Sequence, residues 1–278
     1  MYSDNTTKEL TIGLYREPAD KIAIMNKLVK DETDKGVMTN MLTLEHLVWT
    51  APGGQRILDG VDLVIPDSKL VVITGPNGGG KTTLAKMIAG LEKPDSGRIF
   101  LDDTDITDLD ITERANLGIS YAFQQPVRFK GLTVRDLMEL AAKRKFTDKE
   151  LCDVLSKVGL CAQEYIDREV NASLSGGEIK RIEIATVMER HTKATVFDEP
   201  EAGIDLWSFQ NLIGVFQDIR KSLSGSLIII SHQERILSIA DEIVVLADGK
   251  IKAKGSRYDL LPSLLEETSS CPRQFGRK

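Results

Sequence analysis

One short segment has the residue types and spacing of a phosphate-binding loop. Residues 75–82 follow the pattern GxxxxGK(S/T) and lie between an apolar run and a helical pattern. Glycines let the backbone wrap closely around phosphates, the amide N–H groups point at the phosphate oxygens, and the following helix offers its positive end. We therefore predict that Lys81 holds the β- and γ-phosphates of a nucleotide and that Thr82 holds Mg²⁺. The predicted phosphate-binding residues are Gly75, Pro76, Asn77, Gly78, Gly79, Gly80, Lys81, Thr82 and Thr83.

Two adjacent acidic residues supply the second part of a nucleotide-hydrolysing site. Asp198 and Glu199 follow an apolar strand pattern at residues 195–197. Asp198 suits an outer-shell contact to Mg²⁺, and Glu199 suits the orientation or deprotonation of an attacking water. Taken alone, such a pair also fits an exposed turn. Beside a phosphate-binding loop, we predict the catalytic role.

A second glycine-containing segment begins a helix. Residues 174–178 read Leu-Ser-Gly-Gly-Glu, in which Ser175 and Glu178 form a capping box. A helix start alone needs only the capping serine. Because Gly176 and Gly177 stand beside the serine hydroxyl at the helix end, we predict a second anion-binding site here.

The composition restricts the protein class. The chain has 278 residues, of which 41% are hydrophobic and 28% charged, with a formal net charge of −6 and a pI near 5.3. This acidic balance does not suggest a surface for nucleic acid. The longest apolar runs are too short to span a bilayer, and the three cysteines show no CxxC pairing. We predict a cytoplasmic protein with reduced thiols, no export signal, no nucleic-acid partner and no direct membrane insertion.

The functional segments must be positioned by an α/β fold. Apolar alternation over residues 42–65 predicts antiparallel strands, and residues 70–74 predict a buried strand before the phosphate loop. A helix over residues 83–89 is ended by Gly90. Strands over 195–197, 226–230 and 243–246 follow, the last entering a hairpin turn at Asp248 and Gly249 with Ile251 opening the return strand.

This order predicts a mainly parallel sheet, an antiparallel β subdomain and an inserted helical subdomain. The helical part covers about residues 126–187, and residues 132–142 are its clearest helix. The candidate catalytic groups then lie at the carboxyl ends of parallel strands. Residues 1–40 are an extension or accessory helix opening at Pro18, with a natural start at Met38 or Met41 as the alternative. Residues 256–278 form a C-terminal tail.

Taken in order, these motifs resemble the ATP-binding-cassette (ABC) ATPases, which are P-loop NTPases. Six elements follow the order of that family: the phosphate loop, Gln124 after an apolar strand, LSGGE at 174–178, FDEP at 197–200, GID at 203–205, and His232. The resemblance covers about residues 41–255. It implies a Mg²⁺-dependent ATPase that dimerises head to tail, with each ATP between the phosphate loop of one subunit and the LSGGE segment of the other.

The resemblance also implies a role for each matched residue. Gln124 contacts Mg²⁺ and the attacking water and links them to the helical subdomain, while residues 175–177 contact the facing γ-phosphate. Glu199 is the base, Asp205 supports the dimer seam, and His232 steadies the γ-phosphate.

Two positions depart from the family pattern. Ala51 aligns where family members often carry an aromatic residue that stacks on adenine, and Trp49 lies two residues earlier. Trp49 is therefore either a packing residue or an adenine platform. The signature ends in Glu178 rather than the commoner glutamine. His46 and His191 belong to no motif, and we predict that they are structural.

Several strings resemble the SufC ATPases of the Suf iron–sulfur cluster assembly system. They are residues 123–127, residues 175–178 with 180–181, residues 202–205 and residues 231–237. This narrower resemblance implies docking on a SufB- or SufD-like scaffold, whose rearrangement ATP would drive. The alternative is the ATPase subunit of a membrane transporter, bound to permease subunits at the inner face of the membrane. Pro200 and Glu201 are closer to the transporter ATPases.

Overall fold

The computed structural model describes residues 41–125, 127–171, 173–204, 206–222 and 225–269. The accessory helix predicted within residues 1–40 lies outside these ranges, as does Asp205, for which the resemblance implies a place at the dimer seam. The strands are β1 (Met41–Thr50), β2 (Arg56–Pro66), β3 (Leu70–Thr74), β4 (Ser96–Leu101), β5 (Thr104–Asp105), β6 (Ile119–Ala122), β7 (Ala194–Asp198), β8 (Ser226–Ile230), β9 (Glu242–Ala247) and β10 (Lys250–Ser256). The helices are α1 (Lys81–Ala89), α2 (Ile111–Leu117), α3 (Val134–Ala142), α4 (Asp148–Lys157), α5 (Ala162–Tyr165), α6 (Gly176–Met188), α7 (Leu206–Ser222), α8 (Glu234–Leu237) and α9 (Arg257–Ser269).

The larger sheet is mainly parallel, as predicted. Its strand order is β10-β9-β3-β8-β7-β6, and the β9–β10 pair is antiparallel. Every residue of β3, β7 and β8 is buried, which fits the apolar runs of a parallel sheet that is covered on both faces. The first and last residues of β3 and β8 are those predicted from the sequence.

The smaller sheet is antiparallel and confirms the predicted β subdomain. Its order is β2-β1-β4-β5, with Leu44 opposite Leu63 in β2 and opposite Ile99 in β4. The two sheets meet at the β9–β10 turn. Asp248 and Gly249 both have positive φ there, as a tight hairpin turn requires, and the carbonyl of Gly249 accepts a 2.9 Å hydrogen bond from the amide of Asp59.

A buried arginine joins α1 to α2. Helix α1 ends at Gly90, which has a φ of 81°, and α2 begins at the capping box of Asp110 and Glu113. Arg114 is fully buried and donates hydrogen bonds to backbone carbonyls, including that of Ile88 at 3.1 Å. Burial lowers the pKa of Arg114 to about 10, so its guanidinium stays charged at neutral pH.

Among the described residues, four helices lie in the segment predicted to be helical. Thr133, Thr147 and Ser175 each begin a helix through a capping box. The side chains of Leu137, Leu151 and other apolar residues of these helices share one hydrophobic cluster with the parallel sheet. The helix expected from residue 132 begins at Val134, because the side chain of Thr133 caps it.

The structure adds elements that the sequence patterns did not predict. Strands β4 and β5 and helix α2 lie between Gly90 and Gln124. The predicted C-terminal tail contains α9, whose residues Leu260, Leu261 and Leu264 pack against the core. Within the described ranges, no helix is long and apolar enough to cross a membrane.

Candidate nucleotide-binding site

The glycine-rich loop follows β3 and leads into α1. A Cβ atom on Gly75, whose φ is 137°, would lie 2.0 Å from the backbone oxygen of Leu246, so only glycine fits there. Lys81 is the first residue of α1, and its ammonium donates to the backbone oxygens of Gly75 at 2.8 Å and Pro76 at 2.9 Å. Burial lowers the pKa of Lys81, although the charges of Glu199 and Asp198 oppose this. The ammonium group of Lys81 therefore lies against the backbone of the glycine-rich loop.

This loop fits the phosphates of a nucleotide. The open side of the loop is at Gly78, where an added Cβ would meet nothing within 4 Å. No side chain caps the N-terminus of α1, whose first amides therefore remain available to phosphate oxygens. Open space at Gly78 and an uncapped helix terminus beside the same loop are features that phosphate binding requires.

The residues suited to Mg²⁺ lie together. Asp198 is fully buried at the end of β7, and its Oδ1 accepts a 3.2 Å hydrogen bond from the hydroxyl of Thr82. The phenol of Tyr121, in β6, donates to Asp198 Oδ2 at 3.0 Å. Burial raises the pKa of Asp198, while these two hydrogen bonds lower it. Hydroxyl and carboxylate oxygens are the ligands that Mg²⁺ prefers, so this pair fits the ion.

Glu199 is held by Gln124. The Nε2 atom of Gln124 donates to Glu199 Oε2 at 2.5 Å, although 75 positions separate the two residues in the chain. Glu199 has a φ of 46°, a conformation that non-glycine residues seldom adopt, and its amide donates to the oxygen of Ile230 at 3.0 Å. Such backbone conformations cluster at functional sites. The structure therefore brings both predicted residues to the end of the sheet that carries Asp198.

The loop after β8 contains His232 and, directly before it, Ser231, to which the sequence analysis assigned no role. His232 is exposed, whereas the preceding Ser231 is fully buried. Ser231 donates to Glu201 Oε1 at 2.5 Å and accepts from the amide of Gln233 at 3.0 Å. Glu201 lies just after Glu199, so this hydrogen bond ties the turn after β7 to the histidine loop.

The LSGGE segment forms the predicted capping box. The amide of Ser175 donates to Glu178 Oε2 at 2.7 Å, and the amide of Glu178 donates to Ser175 Oγ at 3.2 Å. The hydroxyl of Tyr165 donates to the other carboxylate oxygen of Glu178, and this bond contributes most to lowering its pKa. Ser175 and Gly176 remain exposed, so the segment can meet a ligand from outside the chain.

Trp49 and His46, two further positions considered from the sequence, both lie on β1. Trp49 is half-buried and packs against the hydrophobic cluster that includes the antiparallel sheet. His46 is exposed, and its Nδ1 lies 3.9 Å from Asp62. Across the described ranges, no group of three or more histidine, cysteine, aspartate or glutamate side chains could hold a metal ion.

Comparison with known proteins gives concordant matches. The ABC transporter family matches residues 58–202. An uncharacterized ABC transporter ATP-binding protein of Methanocaldococcus jannaschii is 37% identical over 227 residues, which cover 79% of this chain and 90% of that protein. A probable ATP-dependent transporter of Antithamnion sp., ycf16, is 34% identical over 76% of this chain and 89% of its own length.

A solved structure shares the fold. It is the dimer of an ATP-binding cassette in a post-hydrolysis state, bound to ADP and Pi. The TM-score is 0.69 at 21% identity, over 78% of this chain and 98% of that chain. This match establishes the P-loop fold of the ATP-binding cassette.

Proposed function

This chain belongs to the ABC transporter family, and on that premise we propose that it is the ATP-hydrolysing subunit of a membrane transporter. One observation carries the proposal: β3, β6 and β7 end at one edge of the parallel sheet, where Lys81, Gln124 and Glu199 follow them. The hydrogen bond from Gln124 to Glu199 supports a site that acts on a phosphate bound to the glycine-rich loop. The names of the two relatives, both ATP-binding or ATP-dependent proteins of transport, support the transporter role.

Each residue of the site would have its own role in ATP binding and hydrolysis. The loop amides and Lys81 bind the β- and γ-phosphates, and Thr82, Gln124 and Asp198 hold Mg²⁺, directly or through water. When bound, Mg²⁺ supplies positive charge that neutralises the phosphate oxygens. Glu199 accepts the proton of the attacking water, which Gln124 helps to orient, and the exposed His232 steadies the γ-phosphate.

The LSGGE segment, predicted as the second anion-binding site, would contact the ATP that is bound to a second copy of the chain. Ser175 and Gly176 are exposed, and a Cβ on Gly177 would meet the oxygen of Gly203 at 3.6 Å, so this segment adjoins the turn that leads to Asp205. We propose an ATP-dependent homodimer in which residues 175–177 contact the γ-phosphate held by the facing loop. Asp205 would lie at the seam.

The helical segment offers a surface for a permease subunit. A groove of about 500 Å³ runs beside α3, where Leu132 and Leu140 supply apolar surface. Its charged lining consists of Asp136, Glu139, Lys143, Arg144 and Lys145. We propose that a permease subunit binds in this groove. Residues 41–255 would then form the ATPase domain, peripheral to the inner face of the membrane, with residues 126–187 as its partner-binding helical subdomain.

A second candidate function rests on the strings at residues 123–127, 202–205 and 231–237 that resemble SufC. In that function the cassette would dock on a SufB- or SufD-like scaffold of iron–sulfur cluster assembly. Both candidates use the same ATP site and differ in the partner.

Identification of the partner separates the two functions. The tagged protein is purified from its native cell in two parallel preparations, without detergent and after detergent extraction, and its stoichiometric partners are identified by mass spectrometry. The transporter role predicts a polytopic membrane protein that is recovered after detergent extraction. A soluble SufB-like partner recovered without detergent would overturn it in favour of cluster assembly.

A further inference from the structure

Lys180 is a fully buried cation on the helix that begins at the LSGGE segment. Its side chain is 0% exposed, and its Nζ lies 3.0 Å from Glu183 Oε2, one turn later on α6. The same ammonium donates a hydrogen bond to the backbone oxygen of Phe123. A buried ammonium is tolerated only with such partners, so Lys180 is fixed at this position.

Glu183 completes the contact with Phe123. Its Oε1 accepts a hydrogen bond from the amide of Phe123 at 3.0 Å. Both backbone polar groups of one residue are therefore held by two side chains of α6. We call this arrangement of Lys180, Glu183 and the Phe123 backbone the α6 clamp.

The clamp lies beside the groups assigned to hydrolysis. Gln124 follows Phe123 directly and donates to Glu199. Tyr121, two residues before Phe123, donates to Asp198, and the centroids of the Tyr121 and Phe123 rings are 4.9 Å apart. Residues 121–124 thus donate hydrogen bonds to both Asp198 and Glu199, and the clamp holds Phe123 within that segment.

We propose that Lys180 and Glu183 are positioning residues that hold Phe123 and so keep Gln124 in register with Glu199. This inference rests on the proposed function, since it assigns no new chemistry to the site. Because residues 175–177 begin the same helix and would contact the ATP of the facing subunit, the clamp links the two ATP sites of a dimer.

The test replaces the clamp without leaving an uncompensated charge. Lys180→Met/Glu183→Leu substitutes apolar side chains for a buried ion pair, a change that folded proteins often tolerate. The matched control is Lys254→Met/Glu242→Leu, because Lys254 Nζ also lies near a glutamate, at 3.1 Å, and donates to a backbone oxygen, that of Val64, at 2.7 Å. That pair joins β9 and β10 to β2.

Turnover gives the first readout. We expect the clamp variant to lower kcat for ATP by about tenfold or more, because small displacements of catalytic groups have effects of this size. KM for ATP should stay within about twofold, because the phosphate loop is untouched. In a Gln124→Ala background the clamp replacement should cause no further loss, since Gln124 is no longer there to be positioned. Equal losses in both backgrounds, or an unchanged kcat, would overturn the proposal.

Hydrogen exchange gives a readout that does not depend on ATP turnover. The Phe123 amide loses its acceptor in the clamp variant, so the peptide containing residues 121–124 should exchange faster than in wild type, whereas the control variant should not change it. Unchanged exchange would contradict the clamp. Absence of ATP hydrolysis, on which both candidate functions depend, is separately visible, because the wild-type protein would then show no turnover while the exchange experiment still reports on the clamp.

Discussion

The phenol of Tyr121 and the carboxylate of Asp198 are joined by a 3.0 Å hydrogen bond between neighbouring strands β6 and β7. The other carboxylate oxygen accepts from Thr82, so a buried acid is held from two sides. Burial, followed by the charge of Asp198, raises the pKa of Tyr121, and the phenol therefore stays protonated as a donor at neutral pH. Tyr121 thus fixes the orientation of the acid assigned to Mg²⁺.

Replacement of this donor should weaken the metal site. Tyr121→Phe leaves Asp198 with one hydrogen bond fewer, and we expect the Mg²⁺ concentration for half-maximal ATP turnover to rise by about tenfold, the scale of a lost hydrogen bond to a charged group. Tyr258→Phe is the control, because Tyr258 is 75% exposed. The same Mg²⁺ dependence in both variants would rule out this role for Tyr121.

The phosphate loop should not tolerate a side chain at its first glycine. In Gly75→Ala the new methyl group would lie 2.0 Å from the oxygen of Leu246 at a φ of 137°, so the loop must deform. We expect loss of ATP binding in titration calorimetry. Gly53→Ala should bind ATP normally, because a Cβ at this turn residue meets nothing within 4 Å. Normal ATP binding by Gly75→Ala would show that the loop does not bind ATP in the conformation found in this structure.

We expect the free energy of unfolding to depend strongly on Arg114. Arg114→Met fills the same space but removes the donors to the carbonyls of Met87, Ile88, Thr107 and Leu109. Because buried acceptors would lose their partners, we expect the free energy of unfolding in urea to fall by about 3 kcal/mol or more. Arg56→Met, at an exposed ion pair, should change it by less than about 1 kcal/mol. Equal effects of the two substitutions would contradict this account.

Glu201 should make the stability depend on pH. Burial raises its pKa above the ordinary value of 4.5, although the hydrogen bond from Ser231 opposes this, and among the described residues its Oε2 has no hydrogen-bond partner. Between pH 4.5 and that raised pKa, the folded state binds more protons than the unfolded state. Stability contributed by protonated Glu201 is therefore lost as the pH rises through this window.

Glu201→Gln cannot ionise and keeps an acceptor for Ser231. Relative to wild type, its melting temperature should therefore increase as the pH is raised from 4.5 towards 8. The same substitution at the exposed Glu164 serves as the control. A stability difference between Glu201→Gln and wild type that does not change with pH would refute the buried ionisation.

The sequence predicted the elements whose signals are local. Strands β3 and β8 each contain a run of four apolar residues between polar ones, and the capping box of Ser175 and Glu178 marks the start of α6 within a four-residue segment. The two-residue strand β5 has no such pattern, so it was missed. The leucines of α9 were also missed, because their packing partners lie in distant segments.

The partners within the site could not be predicted, because they are distant in the chain. Tyr121 meets Asp198 across 77 positions, and Lys180 meets Phe123 across 57. A lysine at position 180 of an amphipathic helix resembles any solvated surface residue until the fold buries it. The pairing of β6 with β7 decides the first contact and the packing of α6 beside β6 decides the second, and neither is visible in a single sequence.

The most direct test of the account is the ATP turnover of Glu199→Gln measured beside that of wild type with saturating Mg²⁺ and ATP. Glutamine keeps the shape of Glu199 but cannot take a proton, so we predict a loss of about 10²-fold or more, the scale of a lost general base, together with accumulation of an ATP-bound dimer in light scattering. Near-normal turnover would contradict the assignment of Glu199 as the base.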